Sequence, residues 1–238
     1  MADDLVGQAV RIVETARMSG IELRILGSVA VALYTGPGLQ GRPVPPMDID
    51  LVTGVDPKRR AQGFLASAGW NVVKELLLLA EDRETYTTGC SKATIDLYYG
   101  KIGGHHTIRM MNRLDRSYPA NSWTDLLLSK LQRKRLRSTD IWDCCSLLAE
   151  GTKRLEQPYY EGLLGSDWGF YTTVWDNLHA LRGQCGSARH GVDAVIGLTE
   201  HTKRSLQWRL SAVLGRRVKW WSDVYQAQLP IHGDERQR

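Results

Sequence analysis

Nearly every strand-like segment of this chain falls before Gly104, and the residues beyond it carry helical periodicity. That asymmetry constrains the fold more than any single motif. Strands grouped in one half and helices in the other give a mixed sheet with a helical region beside it, not an alternating doubly wound sheet. The expected class is α+β: a mixed sheet flanked by helices, then a helical C-terminal domain. The division is placed at 1–115 and 116–238.

Within the first half, Leu5, Ala9, Val10 and Val13 recur at helical spacing up to Gly20, so residues 3–19 are predicted as a helix. "IELRIL" (21–26) reads as a strand, Gly27-Ser28 punctuates it, and "VAVALYTG" reads as a helix ending near Gly36. Residues 37–47 are rich in Gly and Pro and form a loop. "DIDLVT" reads as a strand. A helix comes next, with Asp56 as N-cap and Pro57 in its first position. "WNVVKELLLLA", "RETYTTGC" and "KATIDLYYG" read as three further strands, separated by turns at "EDR" and "SK". In the second half, "NSWTDLLLSKLQRKRL" is a helix opened by Asn121 or Ser122. "STDIWDCCSLLAEG" is a second, capped by Ser138 and stopped by Gly151. The remainder to about residue 225 is tryptophan-rich and helical, and the final residues fray.

At 238 residues with 42% hydrophobic content, the chain can bury a substantial core. No apolar run reaches the roughly 18 residues of a membrane span, and the N-terminus lacks the basic and apolar regions of a secretory signal. Cys90, Cys144, Cys145 and Cys185 show neither metal spacing nor a disulfide framework, so free thiols in a reducing cytoplasm are expected. The net charge of +5 is uneven. Lys101 to Arg137 holds nine Lys/Arg against two Asp, and Lys203 to Lys219 holds six with no acid. Such clusters suit polyanions, or else form solvated helix faces.

The chemistry-bearing feature is "PPMDIDLVTG" (45–54). On a strand, Asp48 and Asp50 share one face while Ile49 and Leu51 share the other. Two neighbouring carboxylates resist joint ionisation, and a hard divalent cation removes that conflict. Asp96, between Ile95 and Leu97 in "ATIDLYYG", also faces away from a core. Three acids from two strands can hold two magnesium ions that clamp the attacking and leaving oxygens of a phosphoryl-type displacement. A D-x-D pair by itself more often sits on a solvated strand face or in a turn. Upstream, strand–Gly27-Ser28–helix places free backbone N–H groups at a helix N-terminus, where Gly27 admits a close anion.

Taken in order, "LGSVAVALYTG", "PPMDIDLVTG" and "TIDLYY" resemble the nucleotidyltransferase superfamily with the DNA polymerase β-like fold, and are most similar to AbiEii/AbiGii-type nucleotidyltransferases. "SWTDLLLSKLQR" and "STDIWDCCSLL" are similar to the paired helices that come after the sheet in that family, so the resemblance spans about residues 20–150. It implies metal-dependent transfer of NMP from an NTP, used as substrate, to an acceptor hydroxyl. Two Mg2+ ions would sit on Asp48, Asp50 and Asp96, and Asp96 would also help deprotonate the acceptor. Gly27 and Ser28 would hold the triphosphate, Lys130 would neutralise phosphate charge, and Asp143 would sit near the nucleotide or support Lys130. The basic clusters tilt the acceptor towards RNA or tRNA, as in toxins of this family, which would bring an antitoxin protein as partner. Antibiotic modification and non-catalytic nucleotide or RNA binding are the alternatives. Arg42 stands where many relatives carry a basic residue before the acids, though "PVPP" intervenes.

The bland readings stay in view. Lys130 is also an ordinary surface lysine beside Arg133 and Lys134. Asp140 suits the first turn of its helix, whereas Asp143 one turn later repels it unless a cation lies near. His105 and His106 are expected in a loop role, and Trp168, Trp175, Trp208, Trp220 and Trp221 as packing anchors.

Overall fold

The computed structural model describes residues 2–35, 40–76 and 83–215. Helix α1 (Ala2–Met18) buries Leu5, Ala9, Val13 and Ala16 on one stripe and ends at Gly20, whose φ of 68° is left-handed. The first half holds five strands: β1 (Arg24–Ile25), β2 (Asp48–Thr53), β3 (Asn71–Val72), β4 (Arg83–Thr88) and β5 (Ser91–Tyr99). They form one sheet in the order β1-β2-β5-β4-β3. β2 and β5 are parallel and every other pair is antiparallel. A parallel pair needs a crossover, supplied here by α3 (Lys58–Ser67) together with β3 and β4. Helix α2 (Gly27–Tyr34) packs against β2. The class is thus α+β with a mixed sheet.

β1 is shorter than "IELRIL" suggests, although Ile21 and Leu23 are buried beside it. Its outer edge is covered: Ile25 N–H donates to the Pro119 carbonyl, and Asn121 N–H donates to the Ile25 carbonyl. That spares the sheet an open edge. At α3 the expected Asp56 cap is absent. Pro57 occupies the N-cap position, and no side chain caps the helix. The "WNVVKELLLLA" strand shrinks to β3 and a single turn of 3-10 helix over Lys74–Leu76, while residues 77–80 lie outside the described residues. The β4–β5 turn is Gly89-Cys90, not Ser91-Lys92, because Thr88 pairs with Ser91 across a two-residue loop containing glycine. Past Gly100 lies a hairpin that the sequence pattern does not reveal: β6 (Lys101–Ile102) pairs with β7 (Ile108–Arg109). Two-residue strands carry too little alternation to be legible.

The second half is helical, with α4 (Trp123–Leu131), α5 (Ser138–Ala149), α6 (Gln157–Ser166), α7 (Trp168–Arg182), α8 (Arg189–Thr202) and α9 (Leu206–Gly215). The Ser122 side chain caps α4 by accepting the Asp125 N–H at 3.2 Å. Ser138 is the first helical residue of α5, not its cap; the Asp140 carboxylate accepts the N–H of Arg137 at the cap position instead. Gly151, at φ 82°, stops the helix as expected. Buried apolar side chains from Leu5 to Val195 form one continuous cluster across both halves. No described helix is long and apolar enough to cross a membrane.

Arg113 staples this cluster together. It is bonded to Asp125 at 2.9 Å and Glu156 at 2.6 Å, and lies over the Tyr159 ring at 3.6 Å. The histidines keep their expected loop role as clamps. His105 Nδ1 accepts the Lys134 N–H, and His106 stacks on Phe170 at 4.8 Å and contacts Thr173. Trp175 and Trp208 pack around Tyr171, while Trp220 and Trp221 lie outside the described residues.

Two of the four cysteines overturn the expectation of free thiols, while Cys90 and Cys144 keep it. Cys145 and Cys185 form a disulfide that joins α5 to the segment after α7. Helical geometry turns Cys144 into the core and Cys145 towards the loop, where the Cα atoms of Cys145 and Cys185 stand 5.0 Å apart. That meeting, across 40 residues of sequence, is invisible in the linear spacing. Reduction, or Cys185→Ser, is expected to lower stability by roughly 2–4 kcal/mol in urea titrations. Identical curves with and without reductant would show that the bridge contributes nothing.

Candidate active site

The parallel β2–β5 register places Asp50 beside Asp96 and Asp48 beside Thr94. Ile49 and Leu51 on β2 meet Ile95 and Leu97 on β5 in the core beneath, all with no exposure. Alternation therefore drives all three acids onto the opposite face. One carboxylate oxygen from each of Asp48, Asp50 and Asp96 lies within 4.8 Å of the others. Asp48 is exposed, Asp50 half-buried and Asp96 buried. Burial, then the charges of Asp48 and Asp96, push the Asp50 carboxyl up to about 8, against the pull of Lys130 and Arg83. Burial also raises Asp96, although Arg83 and Thr85 oppose it.

Those two partners come from β4. Arg83 Nη1 lies 2.9 Å from Asp96 Oδ2, and Thr85 Oγ1 donates to Asp96 Oδ1 at 2.6 Å. Sequence reasoning missed both. Alternation in "RETYTT" places Arg83 and Thr85 on one face, but only the antiparallel register, Thr85 against Asp96, shows which face.

Gly27 has a specific steric reason. It sits at φ 64°, and a Cβ there would lie 2.0 Å from Asp50 Oδ2. The Leu26 N–H also donates to the Asp50 carbonyl at 2.8 Å. The start of α2 is therefore drawn against β2, and the space beside Gly27 holds the Asp50 carboxylate.

Ser28 points into a second, buried ionic network. Its Oγ donates to Asp143 Oδ2 at 2.9 Å and accepts from Arg42 Nη2 at 2.7 Å. Arg42 Nε donates to Asp143 Oδ1 at 3.0 Å, and Arg42 also donates to the Val44 carbonyl. Lys130 Nζ lies 2.8 Å from Asp143 and 3.9 Å from Asp140, which is also engaged by Arg133 and Arg137. The Asp140 and Asp143 side chains have no exposure. Burial works to raise both carboxyls, yet both lie below the ordinary range. Lys130 and Arg42 hold Asp143 down, and Arg133, Lys130 and Arg137 hold Asp140 down. The cation that the Asp140–Asp143 spacing required is thus Lys130, which is buried and is no surface lysine.

The two networks meet at one cleft, lined by Gly27, Asp50, Tyr98, Lys130, Gln132 and Arg133 among others. The sheet supplies an acidic wall and α4 supplies a cationic one. The acidic donors are all carboxylate oxygens, a set that suits a hard cation such as Mg2+ or Mn2+. Burial and, after it, the neighbouring acids disfavour charge on Asp50, and such a cation would stabilise that charge. No protein-family model matches this chain, and no curated protein matches it significantly.

The two networks respond oppositely to pH. Asp143 is depressed when folded, so its stabilisation is complete above the unfolded value near 4 and is lost as pH falls through the folded value. Asp143→Asn is expected to cost about 3–5 kcal/mol at pH 7, with a shrinking penalty below about pH 4, read by urea titration. A penalty independent of pH would contradict the network. Asp50 is raised when folded, so the protonated form stabilises at low pH and the benefit fades as pH rises to about 8. Asp50→Asn in EDTA is expected to be more stable than wild type at pH 9, by roughly 1–3 kcal/mol, and nearly equal to it at pH 4. A variant less stable at pH 9 would show that the three acids do not repel.

Proposed function

We propose that the cleft transfers a nucleotidyl group from an NTP to an acceptor hydroxyl, with divalent metal on Asp48, Asp50 and Asp96. The observation that carries this reading is the in-register pairing of Asp50 with Asp96, at the foot of a helix whose first residue must be glycine. The resemblance of "LGSVAVALYTG", "PPMDIDLVTG" and "TIDLYY" to polymerase β-like nucleotidyltransferases adds weight, because Leu26, Gly27, Asp50 and Tyr98 from these stretches line one cleft.

When bound, the metal supplies charge neutralisation at the reacting phosphate and lowers the pKa of the attacking hydroxyl. This chain's residues do the rest. Asp48 and Asp50 would hold that metal beside the phosphate end of the NTP. Asp96, oriented by Arg83 and Thr85, takes the proton from the acceptor hydroxyl. A new oxygen–phosphorus bond forms at the α-phosphorus, the bond to the β-phosphate oxygen breaks, and pyrophosphate leaves. Lys130, at the cleft wall, faces the charge that develops on the leaving group.

The acceptor class favoured is RNA, with tRNA among the candidates. Ile102 and Gly103, beside the cleft, belong to a hairpin in which Lys101 stands directly opposite Arg109. Cross-strand partners share one face, and two basic side chains there suit the phosphates of an RNA backbone. The exposed Lys134, Arg135 and Arg137 lie on the adjoining α4–α5 segment, which His105 ties to the hairpin loop. The resemblance also brings an antitoxin protein as candidate partner.

The test is incubation with labelled NTPs, magnesium and total RNA. Labelled RNA and pyrophosphate are expected, with a loss of at least roughly 100-fold in Asp50→Ala and Asp48→Ala. Equal labelling by Asp50→Ala, or no label on any acceptor class, would sink the enzymatic reading.

A further inference from the structure

Helix α9 is apolar on two opposite sides. Its inner side is packed: Trp208 meets the Tyr171 ring edge-on at 5.2 Å, Ala212 is buried, and Gly215 lies against Trp168. At 3.6 residues per turn, Leu206, Leu210, Val213 and Leu214 fall together on the opposite side. They are 71%, 59%, 63% and 72% exposed. Elsewhere among the described residues, large exposed apolar side chains are spread over several elements and loops. Single apolar residues on a surface need no explanation, whereas a contiguous row rimmed by polar groups marks a contact face. Arg209 borders the row, and Lys203 and Arg204 stand at its start, all three exposed. The Lys203 ammonium is held 4.3 Å over the Trp175 ring, and no acid occurs from Lys203 to Gly215.

We propose that this side of α9 docks an acidic amphipathic helix of a partner protein. Leucine-like side chains of the partner, at i, i+4 and i+7, lie along the Leu206–Leu210–Val213 row, and its flanking carboxylates meet Lys203, Arg204 and Arg209. The row covers two turns, one repeat of a helix–helix seam. Charge and shape decide against the other occupants. RNA would meet the basic residues and leave the aliphatics uncovered. A second copy of this chain would bring the same basic flank against its own. A bilayer is anchored by interfacial tryptophan, and here Trp208 is turned inward. Helix α9 stands apart from the residues lining the cleft, so the inference does not rest on the nucleotide reading.

Fluorescence anisotropy with the full chain tests this. The probe is a labelled, stapled helical peptide with leucine at i, i+4 and i+7 and glutamate at the flanking positions. A second peptide carries lysine in place of each glutamate. The glutamate peptide is expected to bind saturably, and the lysine peptide at least roughly 10-fold more weakly. Leu210→Ser and Arg209→Glu, both at exposed positions, should each weaken the glutamate peptide by roughly 5- to 30-fold without shifting the thermal unfolding midpoint. Equal binding of both peptides, or unchanged binding by Leu210→Ser, would overturn the inference. So would no binding of the glutamate peptide by the full chain, whether residues 216–238 or nothing at all takes this side of α9. Sedimentation with phosphatidylglycerol vesicles, or a dimer in analytical ultracentrifugation, either one abolished by Leu210→Ser, would assign the row to lipid or to a second copy and overturn the partner-helix reading.

Discussion

The pairing of β2 with β5 is the constraint on which the rest of the site depends. It is the sheet's only parallel pair among the described strands, and its register fixes Asp50 beside Asp96 while Ile49, Leu51, Ile95 and Leu97 seal the face below. A slip of one residue would send the acids into the core and the aliphatics into the cleft. Burial of the four aliphatics, at about 1.5–3 kcal/mol each, outweighs the repulsion among three carboxylates on the other side. The apolar face thus sets the geometry, and the acids accept the proximity forced on them. Gly27 and Arg83 show how the fold accommodates it: one vacates the space a Cβ would fill, the other brings positive charge to Asp96.

The second network ties the helical half to the sheet half. Asp143 on α5, Lys130 on α4, Ser28 on α2 and Arg42 in the loop before β2 converge within hydrogen-bonding distance in a buried volume. Removing one partner from such a cluster strands the others without solvent, so each partner is costly to lose once the cluster has formed. The disulfide from Cys145 constrains the same helix two residues beyond Asp143. Lys130 stands between the networks, paired with Asp143 yet lowering the Asp50 carboxyl, so the acidic and basic walls are electrostatically coupled.

Much of this is legible in the sequence. Alternation in "DIDLVT" and "ATIDLYY" puts the acids on one face, and the repulsion between Asp140 and Asp143 requires a cation, which the structure shows to be Lys130. The Asp56 cap and the free thiols expected at Cys145 and Cys185 did not survive, for different reasons. A cap depends on one torsion that neighbouring packing can override. A disulfide depends on two distant segments meeting, here α5 and the turn after α7, which spacing does not encode. Thr85 and Arg83 are visible in the sequence only as alternating residues, because cross-strand partners are chosen by register. The role of Arg42 is out of reach there because its partner, Asp143, lies 101 residues away.

By itself the sequence determined which residues share a face, where most helices stop and which acids repel, since these properties arise from periods of 2 and 3.6 residues and from local charge. Tertiary structure alone decided which faces meet. It set Asp50 against Gly27, turned Ser28 towards Asp143 and left Gln132 Oε1 buried without a hydrogen-bond partner. Those outcomes depend on close packing between segments far apart in the chain, where differences of an ångström determine whether a buried polar atom is paired or left open.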